Sequence, residues 1–270
     1  MRSSKLREPG LWKIQMIEIK PLIAIIDRAA HAVMSVYQQP EMEVTTKEDN
    51  SLLTMADHAS HSVICEKLTQ LHPDIPIISE EAAVQQTYAE RSQWEYCFLL
   101  DPLDGTKEFV RRNDEFTINL ALIKNGKPVL GIIHAPALNI TYYAQQGKGA
   151  YKIDHGKTQK LSPQQNPPGH PVRVVMSRSH GSPAIVKFLQ DLTDSGSVVT
   201  SVRAGSALKF GLIAEGKADV YPRHGKTMEW DTAAGQIIVN EVGKKVLSMA
   251  NGEELQYNKT ELFNPDFIVR

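Results

Sequence analysis

The sequence has little cysteine, no apolar run of membrane-spanning length, no excess of charge of one sign and no internal repeat. Its two cysteines among 270 residues, Cys65 and Cys97, lack metal-site spacing and sit in apolar surroundings. They read as buried thiols in a reducing compartment, which excludes a disulfide scaffold. Without an apolar span, no integral membrane segment is expected and the chain should be soluble. The N-terminus has no continuous apolar stretch with a small-residue cleavage site, so the expected location is cytoplasmic, with peripheral attachment at the inner face of the cell membrane left open. Lys and Arg number 30 against 31 Asp and Glu, a formal net charge of −1. That balance excludes a general binder of nucleic-acid polymers, which needs a broad basic surface; a small anionic ligand needs only a local cluster of cations.

What is present suits one large domain or two subdomains, with 41% hydrophobic residues to fill a core. Residues 1–15, MRSSKLREPGLWKIQ, are polar and basic and read as a disordered leader or a mis-assigned start before Met16. Ile19, Ile23, Ile26, Ala30, Val33 and Tyr37 then recur at helical spacing, and a second helix is expected from about Asp57 to Leu71, stopping before Pro73. Apolar runs at 75–79 and 96–101 have the length of buried strands. TINLALIK and PVLGIIHA flank Asn125-Gly126, a hairpin signal, and short strands follow near 140–144 and 150–153. Residues 154–171 are polar and rich in Pro and Gly, which predicts a linker. Beyond it, strand-like VRVVMS, SVVTSV and ADVYP alternate with helical patterns at 183–192, 205–215 and 231–242. The expected fold is therefore a layered α+β and α/β sandwich. An antiparallel-rich subdomain, 16–155, would join an α/β subdomain, 156–270, with the active site between them.

The chemistry concentrates in DPLDGTKEF, residues 101–109, directly after an apolar run. Asp101, Asp104 and the intervening Leu103 carbonyl can face one point across a proline-stiffened turn, and hard oxygen donors suit Mg²⁺. Taken alone, DPxDG is equally compatible with an ordinary turn. Two further acidic segments change that balance: IISEEA at 77–82, with Glu80 and Glu81 after a strand, and WDTAAG at 230–235, with Asp231 at a helix N-cap. Three such segments could supply a two-metal site, which stabilises both the attacking and the leaving oxygen of an in-line displacement. A helix beginning after Gly105 would also offer N–H groups to phosphate.

TKEDNSLLTMAD at 46–57, SEE at 79–81, DPLDGTKEF at 101–109 and WDTAAG at 230–235 resemble, in order and separation, the four motifs of the inositol monophosphatase superfamily. The resemblance implies a sugar-phosphatase-like fold and phosphomonoester hydrolysis with two or three Mg²⁺ ions. It implies Glu80, Asp101, the Leu103 carbonyl, Asp104 and Asp231 as metal ligands, and Asp57 and Thr106 as the pair that polarises the attacking water. One departure is that Leu52-Leu53 precede Thr54 where the family commonly has proline.

Within the superfamily, Lys107-Glu108-Phe109 differs from the Asn-Phe ending typical of the inositol enzymes. SRSH at 177–180, GSALKF at 205–210 and YPRHG at 221–225 resemble segments with which bisphosphate nucleotidases hold a second phosphate and a nucleoside. The resemblance thus implies a nucleotide bisphosphate substrate, a sulfated analogue among its candidates. Glu80, Leu103, Asp104, Gly105, Thr106, His180, Ser206, Lys209, Arg223 and Asp231 would contact it. A monomer or a homodimer is expected. Two phosphates bring about four negative charges near neutral pH, and cations must meet whichever phosphate the metals do not cover.

Overall fold

The computed structural model describes residues 17–40, 44–46, 52–82, 86–162, 167, 169–178 and 183–270. The expected leader 1–15 and His180 lie outside the described residues.

Helix α1, Ile19–Tyr37, carries Pro21 in its first turn, where backbone N–H groups have no helical acceptor. Leu22, Ile25, Ile26, Ala29, Ala30 and Val33 form its buried stripe, while Ile19 and Ile23 are half-buried at its edge. Strands β1, Val44–Thr46, and β2, Leu52–Thr54, form a hairpin leading into α2, Met55–Leu71. Then come β3, Ile77–Ser79, a short α3, Tyr88–Arg91, β4, Tyr96–Asp104, and α4, Thr106–Val110. Strands β5, Thr117–Lys124, β6, Lys127–Ala135, β7, Ile140–Gln145, β8, Gly149–Asp154, and β9, Lys157–Lys160, complete a seven-stranded sheet in sequence order from β3. β3 runs parallel to β4; every later neighbour is antiparallel. The expected hairpin turn is present, with Asn125 and Gly126 both at positive φ (47° and 77°), the twist that two-residue hairpins favour.

Side chains of this sheet alternate between two cores. Phe98, Leu100, Ile118, Leu120, Leu122 and Ile132 face α1 and α2. Cys97, Leu99, Ala121, Ile123, Ile133 and Ala135 face the other way, toward the second half of the chain. Burial on both faces explains why these strands read as continuous apolar runs. Cys97 is buried as expected, but Cys65 is only partly so.

The second half contains β10, Val172–Met176, α5, Pro183–Asp194, β11, Val199–Arg203, α6, Leu208–Ala214, β12, Tyr221–Arg223, β13, Thr227–Met228, α7, Glu229–Asn240, β14, Val246–Ser248, β15, Phe263–Asn264, and β16, Phe267–Val269. β10 and β11 are parallel around α5, as strand–helix alternation predicts. β12, β16 and β14 are instead antiparallel, and a single Val174–Val220 bridge joins the two groups. α7 lies directly on the seven-stranded sheet: a Cβ at Gly131 of β6 would stand 2.5 Å from Ile237 and 2.6 Å from the Ala234 carbonyl.

The expected linker 154–171 begins with structure. His155-Gly156 turns the chain at positive φ, and β9 pairs with β8 through Lys160. All four β9 residues are exposed, and so polar an edge strand carries no apolar alternation to betray it.

Candidate active site

Asp101 and Asp104 stand at the end of β4, where two residues, Pro102 and Leu103, oppose one on β5. Such a bulge re-aims side chains, and Asp101 Oδ1 secures it by accepting the Leu103 N–H at 3.0 Å. Ser60 of α2 donates to the Pro102 carbonyl at 2.7 Å and ties that helix to the bulge. Glu80 follows β3, its N–H bonded to the Leu100 carbonyl at 3.1 Å. Asp231 comes from the first turn of α7. It is the third helical residue rather than the expected N-cap: Met228 caps, and Asp231 Oδ2 reaches back to accept the Met228 N–H at 2.8 Å. Asp57 repeats the device on α2, accepting the Thr54 N–H at 2.7 Å and the Thr54 hydroxyl at 2.6 Å.

Glu80, Asp101, Leu103, Asp104, Gly105, Thr106, Ser206, Lys209, Arg223 and Asp231 all line one cavity of about 450 Å³. Asp57 is buried beside it rather than in its wall; β2, which carries Thr54, packs on α4, which carries Thr106. Burial, then the neighbouring charges of Glu80, Asp104 and Asp231, hold the Asp101 carboxyl well above the usual carboxylate range. Burial and the charge of Asp104 push Asp231 up to about 8. Asp104 is also raised by burial, against the pull of the Lys209 ammonium and the Asn119 amide. Among the described residues no three acidic, imidazole or thiol groups close on a single point; like charges in a dry pocket repel. Asp101, Asp104 and Asp231, each with its proton affinity raised by burial and by neighbouring acids, form with Glu80 a hard-oxygen donor set, and it fits a divalent cation.

A second part of the lining is cationic. Lys209 is buried on α6, its ammonium donating to the Ser206 carbonyl and lying 5.4 Å from the centre of the Tyr221 ring. Burial brings its pKa down to about 8. Arg223 ends β12; one guanidinium N–H reaches the Lys226 carbonyl at 3.4 Å, while its buried Nε has no hydrogen-bond partner among the described residues. Ser206 has φ 46°, and the helix expected from residue 205 therefore starts only at Leu208. Its hydroxyl donates toward the carbonyls of Asp104 (2.9 Å) and Glu115 (2.8 Å), so its proton is committed to the protein. A Cβ on Gly105, at φ 90°, would sit 1.9 Å from that hydroxyl oxygen; only glycine lets the two walls meet here.

Sequence reading missed Glu115, which accepts from Arg178 (2.5 and 2.7 Å) and from the Gly205 N–H (2.8 Å) and so holds the 205–206 turn. It also missed Ser177, Tyr221, Lys226 and Trp230 in the lining. Tyr221, Trp230 and Ser177 fall inside or beside the quoted segments, whereas Glu115 lies in a loop with no distinguishing spacing.

A family model described as the inositol monophosphatase family matches residues 16–266, and the chain belongs to that family. Enzymes of this family are metal-dependent. Among curated relatives, the 3'(2'),5'-bisphosphate nucleotidase CysQ of Salmonella typhimurium is 45% identical over 243 residues, spanning 89% of this chain and 94% of its own. CysQ of Escherichia coli K12 is 44% identical over the same shares. Among solved structures, CysQ from Bacteroides thetaiotaomicron superposes with a TM-score of 0.82 at 38% identity, covering 93% of this chain and 95% of its own. An IMPase from Thermotoga maritima gives 0.75 at 26%, covering 92% and 89%. The layered fold expected from sequence is the fold of these neighbours.

Proposed function

We propose that the chain is a Mg²⁺-dependent 3'(2'),5'-bisphosphate nucleotidase that hydrolyses adenosine 3',5'-bisphosphate to AMP and phosphate. The observation that carries this reading is a single cavity with walls of opposite charge, one made by Glu80, Asp101, Asp104 and Asp231, the other by Lys209 and Arg223. The first wall, with the Leu103 carbonyl, would hold two or three Mg²⁺ ions. When bound, the cation supplies positive charge at the phosphoryl oxygens and acidifies a water. Asp57, its carboxylate held by two donors from Thr54, accepts the Thr106 hydroxyl proton and turns the oxygen lone pairs of Thr106 to the attacking water. The packing of β2 on α4 supports that pairing. Water forms the new P–O bond and gives its proton through Thr106 to Asp57, the bond to the ribose 3'-oxygen breaks with its electron pair, and that oxygen takes a proton from solvent water.

The 5'-phosphate lies against the second wall. The unpartnered Arg223 Nε and the buried Lys209 ammonium are donors that an anion satisfies. Ser206 positions Lys209 and the Gly105 turn rather than donating its own hydroxyl. Names of the CysQ relatives point to the same substrate class. Phosphate release from adenosine 3',5'-bisphosphate, AMP and inositol 1-phosphate, each with Mg²⁺ and with EDTA, tests the reading. The bisphosphate is expected to dominate by at least about tenfold in kcat/KM, the factor worth one charge-assisted contact, and EDTA to abolish turnover. Equal rates on inositol 1-phosphate would overturn the substrate, and full activity in EDTA the class.

A further inference from the structure

Strand β5 reads Thr-Ile-Asn-Leu-Ala-Leu-Ile-Lys, and of its polar residues Thr117 and Asn119 are almost fully buried, whereas Lys124 at its end is not. They are two apart and so share one face, whereas Ile118 and Leu120 point into the α1–α2 core. Buried polar side chains inside a strand demand hydrogen-bond partners. Here both reach the same atom: the Thr117 hydroxyl and the Asn119 amide each donate to Asp104 Oδ2, at 3.4 Å. Register explains the convergence, since Asn119 pairs with Asp101 and Thr117 with Asp104 on either side of the bulge. The carboxylate also fixes which way the Asn119 amide faces, because the reversed amide would set oxygen against oxygen. Asn119 Oδ1 is then left buried with no partner among the described residues. A buried acceptor without a donor is costly, and nothing in the fold of β5 requires an amide at this place.

We propose that Asn119, seconded by Thr117, is a positioning residue of the cation site, holding one Asp104 oxygen so that the other is presented to the ion, with its own carbonyl reserved for a water of the ion's shell. Mg²⁺ retains several of its waters when protein-bound, so such a donor arrives with the ion. Partners of metal-ligating carboxylates of this kind typically govern affinity by 10–100-fold. The inference rests on the metal-dependent reading above, and calorimetric titration of the metal-free protein with Mg²⁺, without substrate, separates the two. Asn119→Leu is expected to weaken Mg²⁺ binding about 10- to 100-fold, while its melting temperature in EDTA stays level or rises because the unsatisfied acceptor is gone. Thr117→Val, isosteric and less disruptive, should weaken binding by a smaller factor in the same direction, and it decides the matter if Asn119→Leu does not fold. Unchanged Mg²⁺ affinity in these variants overturns the positioning role, most clearly where melting in EDTA falls, the mark of a purely structural pair. Failure of the wild-type protein itself to bind Mg²⁺ overturns the metal reading on which the inference stands.

Discussion

Asp101 and Asp104 close a nine-residue strand buried along nearly its whole length, and Asp231 rides a twelve-residue helix sunk between two sheets, whereas Arg223 ends a three-residue strand and Lys209 sits in a seven-residue helix. The acid wall keeps mutually repelling carboxylates near one another, which takes a framework too stiff to let them separate. The cation wall carries less of that debt: burial aside, Arg223 pushes the Lys209 pKa down, but the charge of Asp104 opposes it more strongly. That wall must only present donors to an anion, and long side chains on short elements do that. Framework and reach therefore divide the labour: the acids should set whether hydrolysis occurs, and the cations which ester is chosen.

The strongest way to break that division is Asp104→Asn. Losing one anionic ligand should cut Mg²⁺-dependent phosphate release by about a thousandfold, the upper range for deleting one preorganised electrostatic contact. Thermal unfolding in EDTA should hold or improve, since a raised buried carboxyl is replaced by a neutral amide. Turnover above about a tenth of wild type would contradict a framework role for this acid.

Next in size is Arg223→Ala. A charge-assisted contact is worth about 1.5–3 kcal/mol, so kcat/KM for adenosine 3',5'-bisphosphate should fall roughly tenfold to 150-fold, mostly through KM. A monophosphate substrate should barely notice. Equal losses on both substrates would put Arg223 on the acid wall's side of the division.

The smallest expected effect is in pH dependence, and its sign differs between the walls. Asp231 has a folded pKa of about 8 against an ordinary 3.8, so the folded state keeps a proton that the unfolded chain has lost. Its stabilising contribution is complete below the ordinary value and fades as pH rises through about 8. His134 works oppositely at lower pH, because burial drops its pKa to about 4 from 6.5. Lys209, lowered to about 8 from 10.5, adds stability with rising pH only above about 8. In EDTA the melting temperature should therefore fall between pH 6.5, above which His134 no longer opposes the trend, and about 8, the folded value of Asp231. Asp231→Asn should flatten the slope. A rising melting temperature across that window would mean the acids are not proton-loaded in the folded protein.

Much of the acid wall was legible because its residues follow apolar strands or open a helix, and periodicity marks where strands and helices end. Asp231 was misplaced by three positions relative to the cap because acidic side chains are favoured both at the cap and in the first helical turn, each serving a different backbone donor at the helix start. Ser206 was read as a ligand; its positive φ and its bonds to Asp104 and Glu115 depend on a contact between segments about a hundred residues apart in sequence, and no local pattern announces such contacts. Strands β14, β15 and β16 escaped for a related reason. Each has two or three residues and takes its meaning from a distant partner: β16 pairs with β12, β15 with β13 and β14 with β16. TINLALIK was recognised as a strand, but the chemistry of Thr117 and Asn119 became readable only once the register set them opposite the bulge.

The seven-stranded sheet is open at β9, where one side of the backbone has no neighbouring strand among the described residues. An exposed ladder of N–H and C=O groups is a template on which a second chain can polymerise. Lys157 and Lys160 bracket that edge, the strand is only four residues long, and none of its side chains is buried. A copy approaching in either direction brings its own pair of ammonium groups against this pair and gains no apolar contact in return. The strand that opens the expected linker is thus poorly suited to edge-to-edge pairing, and its lysines are worth keeping in any attempt to engineer the protein for use at high concentration.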